Sequence, residues 1–167
     1  MTSEPLPIAN VDPVTGQSLA ISLVEQLEPS HPGAQELLAY WLSCKARGDF
    51  VMGRDVPARP IAALMKHLVV FEPVAGDFRY RLVGSIMRQR FGRTITGLSI
   101  FEVYDAATAT SLEGFLKQVV ARQSPIALKV EVKGTLGDVL RPQAILLPMK
   151  AADETTPWIL MGLFYSE

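Results

Sequence analysis

The sequence is poor in the residues that build metal centres and disulfide frameworks. It has one cysteine, Cys44, which excludes an internal disulfide and any cysteine-rich metal site. Its two histidines, His31 and His67, are too few for a metal centre built from histidine. We therefore expect no metal site, and we expect Cys44 to be an inert thiol buried on an apolar helix face.

Long apolar runs and a marked excess of one charge are also missing. No stretch approaches the roughly 20 apolar residues needed to span a bilayer, so we expect no membrane span. The first residues, M-T-S-E-P-L-P, have an acid and two prolines where a signal peptide has basic and then apolar residues, so we expect a cytoplasmic protein. The formal net charge of −1 gives no general attraction to nucleic acid or to an anionic membrane.

The motifs of common catalytic sites are absent from the sequence as well. There is no glycine-rich phosphate loop followed by Lys and Ser/Thr, and no G-x-S-x-G elbow. Glu102 and Asp105 lie three residues apart, and a pair of carboxylates at this distance could do acid–base work. Asp105 suits a helix cap equally well. We expect that the protein is not an enzyme.

Residues 1–33 predict an N-terminal extension that is partly flexible, because they hold five of the twelve prolines. Within it, Leu19, Leu23 and Leu27 recur at four-residue spacing, which favours a short amphipathic helix over residues 18–28. Such a helix would pack back on the domain or onto a second subunit.

The remainder, residues 34–167, is predicted to form one domain with a leading helix at 34–47. Leu37, Trp41 and Cys44 share one face of this helix, and Gly48 ends it. A hairpin follows from Leu68, and an apolar stripe predicts a longer helix over residues 106–123. Three strands close the chain, at residues 126–133, 139–149 and 158–165. The last is apolar on both faces, so we expect it to be central in the sheet.

Several local motifs resemble those of the PAS domain family. They are F-R-Y-R-L-V-G-S at residues 78–85, F-G-R-T-I-T-G at 91–97 and Ile-Phe-Glu at 100–102. These motifs are similar to those of the single-domain PAS subfamily common in alphaproteobacteria. Members of that subfamily carry Tyr-Trp and then Arg-Gly upstream, which are here residues 40–41 and 47–48.

The resemblance implies an α+β fold with a five-stranded antiparallel sheet in the order 2-1-5-4-3. Helices would cover one face, a helical extension would precede the domain, and a ligand pocket would lie between helix and sheet. The implied function is a non-enzymatic sensory or regulatory module that acts through other signalling proteins. The alternative is a ligand-free dimerisation or adaptor protein. The family's dimers use the outer sheet face and an N-terminal helix, so the resemblance implies a homodimer or partner contact through Leu19, Leu23, Leu27 and Trp41.

The candidate ligand-binding residues fall into two groups. Arg79 and Arg81 point the same way on a strand and Arg88 follows the turn, so three guanidinium groups could hold a small acidic ligand. The alternative is a solvated strand face on which these arginines pair with acids. An apolar ligand would contact side chains that otherwise form a filled core, namely Tyr80, Met87, Phe91, Phe115 and Met161.

The resemblance also allows the family's cofactors to be weighed, and we predict none. A flavin photosensor of this family needs a reactive cysteine between the second strand and the long helix, whereas Cys44 precedes the first strand. A haem sensor takes an axial histidine from the long helix, and residues 106–123 contain none. We therefore expect neither flavin nor haem.

Overall fold

The fold is built on one antiparallel sheet, which a computed structural model describes over residues 19–134 and 137–165. The strands are β1 (Leu19–Gln26), β2 (Leu68–Val74), β3 (Asp77–Val83), β4 (Ile126–Gly134), β5 (Val139–Leu140), β6 (Gln143–Lys150) and β7 (Pro157–Phe164). The helices are α1 (Pro32–Lys45), α2 (Ser85–Phe91), α3 (Ile100–Val103) and α4 (Ala106–Arg122), with a 3₁₀ segment at Arg59–His67. No helix in these ranges is long and apolar enough to cross a bilayer.

The order of the strands confirms the predicted α+β fold and its sheet. Neighbouring strands follow the order β1-β4-β6-β7-β2-β3, and β5 pairs with β4. Within it, β3-β2-β7-β6-β4 is the order 2-1-5-4-3 that the family resemblance implies. Two strands are additional to the predicted five. β1 extends the edge beyond β4, and β5 is separated from β6 at Pro142, which has no N–H to donate to a neighbouring strand.

The N-terminal helix predicted at residues 18–28 is wrong, because this segment forms strand β1. It pairs with β4 along its whole length, from Leu19 opposite Gly134 to Gln26 opposite Ala127. The four-residue spacing of the leucines coincides with a period-two pattern that places Ile21 and Leu23 on the inner face. Pairing with β4 satisfies the backbone of the segment and decides between the two periods. The predicted extension before Leu19, and the side chain of Leu19 itself, lie outside the described residues.

Helices cover both faces of the sheet, whereas the prediction placed them on one face. Helices α2, α3 and α4 pack on the inner face, over a core that includes Phe71, Leu116, Leu128, Leu146 and Ile159. Helix α1 and the 3₁₀ segment pack on the outer face, over a core that includes Leu37, Trp41, Val70, Leu147 and Leu160. The outer face of the central strands is apolar, so leaving it in water would be unfavourable.

Hydrogen bonds join helix α1 to the sheet at its N-terminus and in its second half. The Oε1 atom of Gln143 on β6 accepts hydrogen bonds from the N–H groups of Ser30 and His31, both at 2.7 Å. Farther along, the indole N–H of Trp41 donates to the carbonyl of Pro148 at 2.8 Å. Trp41 is only 5% exposed. It therefore stabilises the fold of a single chain, and a contact between Trp41 and a partner would require α1 to leave the sheet.

Substitution of Gly162 on β7 should test how closely α1 approaches the sheet. A Cβ atom at Gly162 would lie 2.7 Å from Leu37 Cδ2 and 2.8 Å from Phe164 Cε2. We expect Gly162→Ala to lower the free energy of unfolding by about 1–3 kcal/mol, because an added atom in a packed core displaces neighbouring side chains from their preferred conformations. Urea unfolding followed by tryptophan fluorescence measures the change.

The matched control is Gly114→Ala on the exposed side of α4. A Cβ atom there meets nothing within 4 Å. Because alanine loses less conformational entropy than glycine in a helix, this variant should be more stable by about 0.5–1 kcal/mol. Equal effects of the two substitutions would contradict the close packing of α1 on β7.

Candidate ligand pocket

A cavity of about 400 Å³ lies between the sheet and helices α2 and α4. This volume falls in the range of small-molecule sites. Its apolar walls come from β1, β4, β5, β6 and β7 on one side and from the helices on the other. The apolar side chains that line it are Ile21, Leu23, Ile86, Met87, Phe91, Leu112, Leu128, Val130, Val132, Leu140, Ala144, Met161 and Leu163.

The polar side chains of the pocket lie mostly at its opening. Gln89, Arg90 and Asp138 line the cavity and are exposed to solvent, so they mark its mouth. The guanidinium carbon of Arg90 lies 3.7 Å from the ring centroid of Tyr165, a cation–π contact. Thr108, in the first turn of α4, is buried against the cavity.

Two tyrosines, one buried (Tyr80) and one partly buried (Tyr104), lie at the inner wall of the pocket. The hydroxyl groups of Tyr80 and Tyr104 are 3.1 Å apart and form a hydrogen bond. Burial raises the pKa of Tyr104 to about 12, and burial also raises the pKa of Tyr80. The pKa of Tyr165 is raised by burial too, although Arg90 opposes that shift. All three hydroxyl groups are neutral at physiological pH, as a tyrosine of ordinary pKa also is.

The apolar site residues predicted from the sequence divide between the pocket and the core. Met87, Phe91 and Met161 line the cavity. Tyr80 lies behind its wall and reaches Tyr104, which is a lining residue. Phe115 is half-buried against the inner core and does not line the cavity.

The predicted arginine cluster does not converge on one point. Arg79 donates to the carbonyl of Gly97 at 3.0 Å and lies 3.9 Å from Glu102. Arg81 lies over the ring of Trp158, 5.9 Å from its centroid. Arg88 is exposed on α2 and is not among the lining residues of the pocket. Arg79 thus follows the alternative in which the strand arginines pair with acids, at an exposed position where ion pairs contribute little.

Arg90 is the arginine that borders the pocket, and sequence reasoning missed it. It follows Met87 by three residues and precedes Phe91, so it flanks the face of α2 that these two residues turn inward. The three-residue spacing between Met87 and Arg90 on a helix is the signal from which its position beside the pocket could have been predicted. The strand alternation of Arg79 and Arg81 drew attention to a different surface.

The two carboxylates considered for acid–base work are helix caps. Glu102 Oε1 accepts from the N–H of Ser99, whose own side chain accepts from Phe101, and together they form a capping box for α3. Asp105 Oδ1 accepts from the N–H of Thr108 at the start of α4. Both groups stabilise helix ends. Within residues 19–134 and 137–165, no group of three or more His, Cys, Asp or Glu residues is placed to hold a metal ion.

The residues of the Tyr-Trp and Arg-Gly motif lie at the edge of the outer core. The hydroxyl of Tyr40 donates to the carbonyl of Asp55 at 2.7 Å, and a guanidinium N–H of Arg47 reaches Cys44 Sγ at 3.6 Å. Burial raises the pKa of Tyr40 to about 12. Cys44 is 2% exposed, in agreement with the predicted burial of this thiol. The motif therefore ties α1 to the loop that follows it.

The comparison with protein families identifies the fold. The profile of the PAS domain family matches residues 29–164. The chain therefore belongs to the PAS domain family, whose domains are sensory modules of signalling proteins. No curated protein matches the chain.

Similar solved structures include photoreceptors. A cysteine-to-valine variant of the fungal photoreceptor VVD has a TM-score of 0.47 and 12% identity, and the match covers 85% of this chain and all of that one, 100%. A second variant of VVD has a TM-score of 0.47 and 13% identity, with coverage of 85% and 100%. An RNA-binding light-oxygen-voltage receptor has a TM-score of 0.47 and 10% identity, with coverage of 90% of this chain and 40% of that one.

The prediction that no flavin is bound is contradicted by these comparisons. By their names, two of the structures reported above are a fungal photoreceptor and a light-oxygen-voltage receptor. The prediction depended on the position of Cys44, and a missing cysteine removes only a bond to a chromophore, not the room for one. The exclusion of haem stays a prediction. His31 and His67 both contact Phe164 and neither lines the pocket.

The buried tyrosines should make the protein sensitive to alkaline pH. A tyrosine of the unfolded chain ionises near its ordinary pKa of 10, whereas Tyr104 in the fold keeps its proton until about pH 12. The free energy of unfolding is therefore unaffected by Tyr104 below pH 10, and it falls as the pH rises from 10 to 12 because only the unfolded chain loses this proton. In that window, ionisation of Tyr104 in the unfolded chain should lower the free energy of unfolding by about 1.4 kcal/mol per pH unit.

The variant Tyr104→Phe measures the contribution of one of these groups. It removes one titrating hydroxyl, so the slope of unfolding free energy against pH should become shallower by the share of one tyrosine. Urea unfolding at a series of pH values, with circular dichroism as the probe, gives both slopes. Parallel slopes for the variant and the unmodified protein would show that Tyr104 ionises normally in the fold.

Proposed function

We propose that this PAS domain binds a small molecule in the pocket between the sheet and helices α2 and α4. The observation that carries the proposal is the cavity of about 400 Å³ itself. Protein interiors are normally packed without such gaps, and this one has apolar walls, most of them buried, and a polar mouth. The protein then acts as a cytoplasmic regulatory module that passes its state to other signalling proteins.

Strand β1 is the element through which ligand binding in the pocket would be transmitted to a partner protein. Ile21 and Leu23 line the cavity, whereas Ser22 and Val24 are exposed on the opposite face of the same strand. A ligand that displaces Leu23 therefore moves backbone whose other side faces solvent. Beyond the strand, Leu27 is fully exposed, at 101% of its reference area.

Filling the pocket should abolish ligand binding. Ala144 on β6 is 1% exposed and lines the cavity, so Ala144→Leu places three additional carbon atoms inside it. We expect the unmodified protein to yield a bound small molecule when denatured and examined by mass spectrometry, and Ala144→Leu to yield none. A ligand specific for the folded state also raises the melting temperature, and that rise should vanish in the variant.

Ala20→Leu is the matched control for this experiment. Ala20 lies on β1 and is exposed, outside the lining of the cavity, so the same substitution leaves the pocket unchanged. Retention of ligand by both variants would place the binding site elsewhere. Loss of ligand from both would point to general destabilisation.

A homodimer or adaptor contact through β1 is the second candidate function. Val24 is 58% exposed and Leu27 fully exposed, and within the described ranges the outer edge of β1 has no paired strand. An open strand edge with apolar side chains favours pairing with another chain. Of the partner residues expected from the sequence, Leu27 fits this contact, whereas Leu23 faces the pocket.

The double substitution Val24→Asp and Leu27→Asp should separate such a dimer into monomers. Charged side chains at this edge oppose strand pairing with a second copy. Light scattering coupled to size-exclusion chromatography measures the mass of each species. Leu42→Asp is the control, since Leu42 is 53% exposed but lies on α1. A monomeric unmodified protein would dispose of the homodimer.

A further inference from the structure

We infer that the ligand of the pocket is an amphipathic monocarboxylate with a single aliphatic chain, whose head group binds Arg90. This inference rests on the proposed function of the cavity. It follows from the contrast between an aliphatic interior and a mouth where a cation is available.

The interior suits a chain of methylene groups. Its buried lining side chains are aliphatic for the most part, among them Leu112, Leu128, Val130 and Ala144. Apart from the residues named at the mouth, its polar lining side chains in the described part of the chain are Thr108, Tyr104 and Tyr165. The hydroxyl of Tyr104 is already hydrogen-bonded to that of Tyr80. A ligand with several polar atoms would leave them unpaired against these walls, which is unfavourable, whereas an alkyl chain has none.

Methionine side chains make the interior adaptable to chains of different length. Met87 on α2 and Met161 on β7 face the cavity from opposite sides. Methionine has three rotatable side-chain bonds and fills irregular space readily. The pocket therefore selects for apolar character more than for a particular shape.

Arg90 is the group that would bind the carboxylate. Its contact with Tyr165 uses the face of an aromatic ring and no acceptor atom. No ion pair joins Arg90 to an acid in the described residues. Its N–H groups are therefore available to form the paired hydrogen bonds that a planar carboxylate accepts.

Asp138 limits the charge of the head group. In the described part of the chain it is the other charged residue at the mouth, and its carboxylate lies against Gly134, where an added Cβ would clash with Oδ1. This position belongs to the turn between β4 and β5, across the cavity from α2. The Asp138 carboxylate would repel a dianionic head group, such as a phosphate monoester, more strongly than a head group with one negative charge, so a single carboxylate fits better.

Calorimetric titration with octanoate, decanoate and dodecanoate tests the aliphatic part of the inference. Affinity should increase about fourfold with each additional methylene until the cavity is filled. Decanol, which has the same chain without the charge, should bind about tenfold more weakly than decanoate. Equal affinities across the three acids would overturn the aliphatic assignment.

The variants Arg90→Gln and Arg88→Gln test the role of the head group. Both remove one positive charge from α2, but only Arg90 lines the pocket. We expect Arg90→Gln to weaken decanoate about tenfold or more and to leave decanol unchanged, whereas Arg88→Gln should affect neither. Equal losses in both variants would mean that general electrostatic attraction, not a contact, holds the acid.

Other outcomes separate this inference from the function on which it rests. If the purified protein retains a flavin or another aromatic molecule, and Ala144→Leu loses it, the aliphatic ligand is wrong and the sensory pocket stands. If decanoate binds equally well to Ala144→Leu and Ala20→Leu, the pocket is not the site of decanoate and the inference fails, whereas the proposed function is decided by the mass-spectrometry comparison of the same variants.

Discussion

Strand β7 packs against helices on both of its faces, and the positions of the other elements depend on that double contact. Ile159, Met161 and Leu163 face α4 and its neighbours, whereas Leu160 and Phe164 face α1. The absence of a side chain at Gly162 lets Leu37 of α1 approach the strand. Because both faces are covered, the sheet has no apolar surface in its central strands that requires a partner to bury it.

The pocket exists because the helical cover of the inner face is uneven. Helix α2 has only 7 residues and ends at Gly92, which adopts a left-handed conformation with φ of 70°. Over β2 and β3, the short helices and their loops fill the space with side chains such as Ile95 and Ile100. Toward β4 and β1 the sheet continues past this cover, and the cavity opens there. The strand that extends the sheet thus also provides a wall of the pocket and an exposed edge.

The site could be predicted from the sequence only where residues contact neighbours on their own element. Met87, Phe91 and Met161 were identified because helical and strand periods mark an inward face. Arg79 and Arg81 share a strand face, but their partners come from Gly97 and Trp158, which no local pattern connects to them. The contact of Arg90 with Tyr165 joins residues 75 positions apart in the chain. Such a contact becomes visible only when α2 and the end of β7 are placed in space.

The sequence by itself determined the elements with strong and unambiguous periods, which are the hairpin from Leu68, helix α4 and the apolar final strand. It also determined the central position of that strand, because a segment apolar on both faces must be covered twice. Tertiary structure alone decided the conformation of Leu19–Gln26, where helical and strand periods coincide and pairing with β4 selects the strand. Tertiary structure also decided that Trp41 packs on the sheet of its own chain. An apolar helix face can cover either a sheet or a second subunit, and the sequence pattern is the same in both cases.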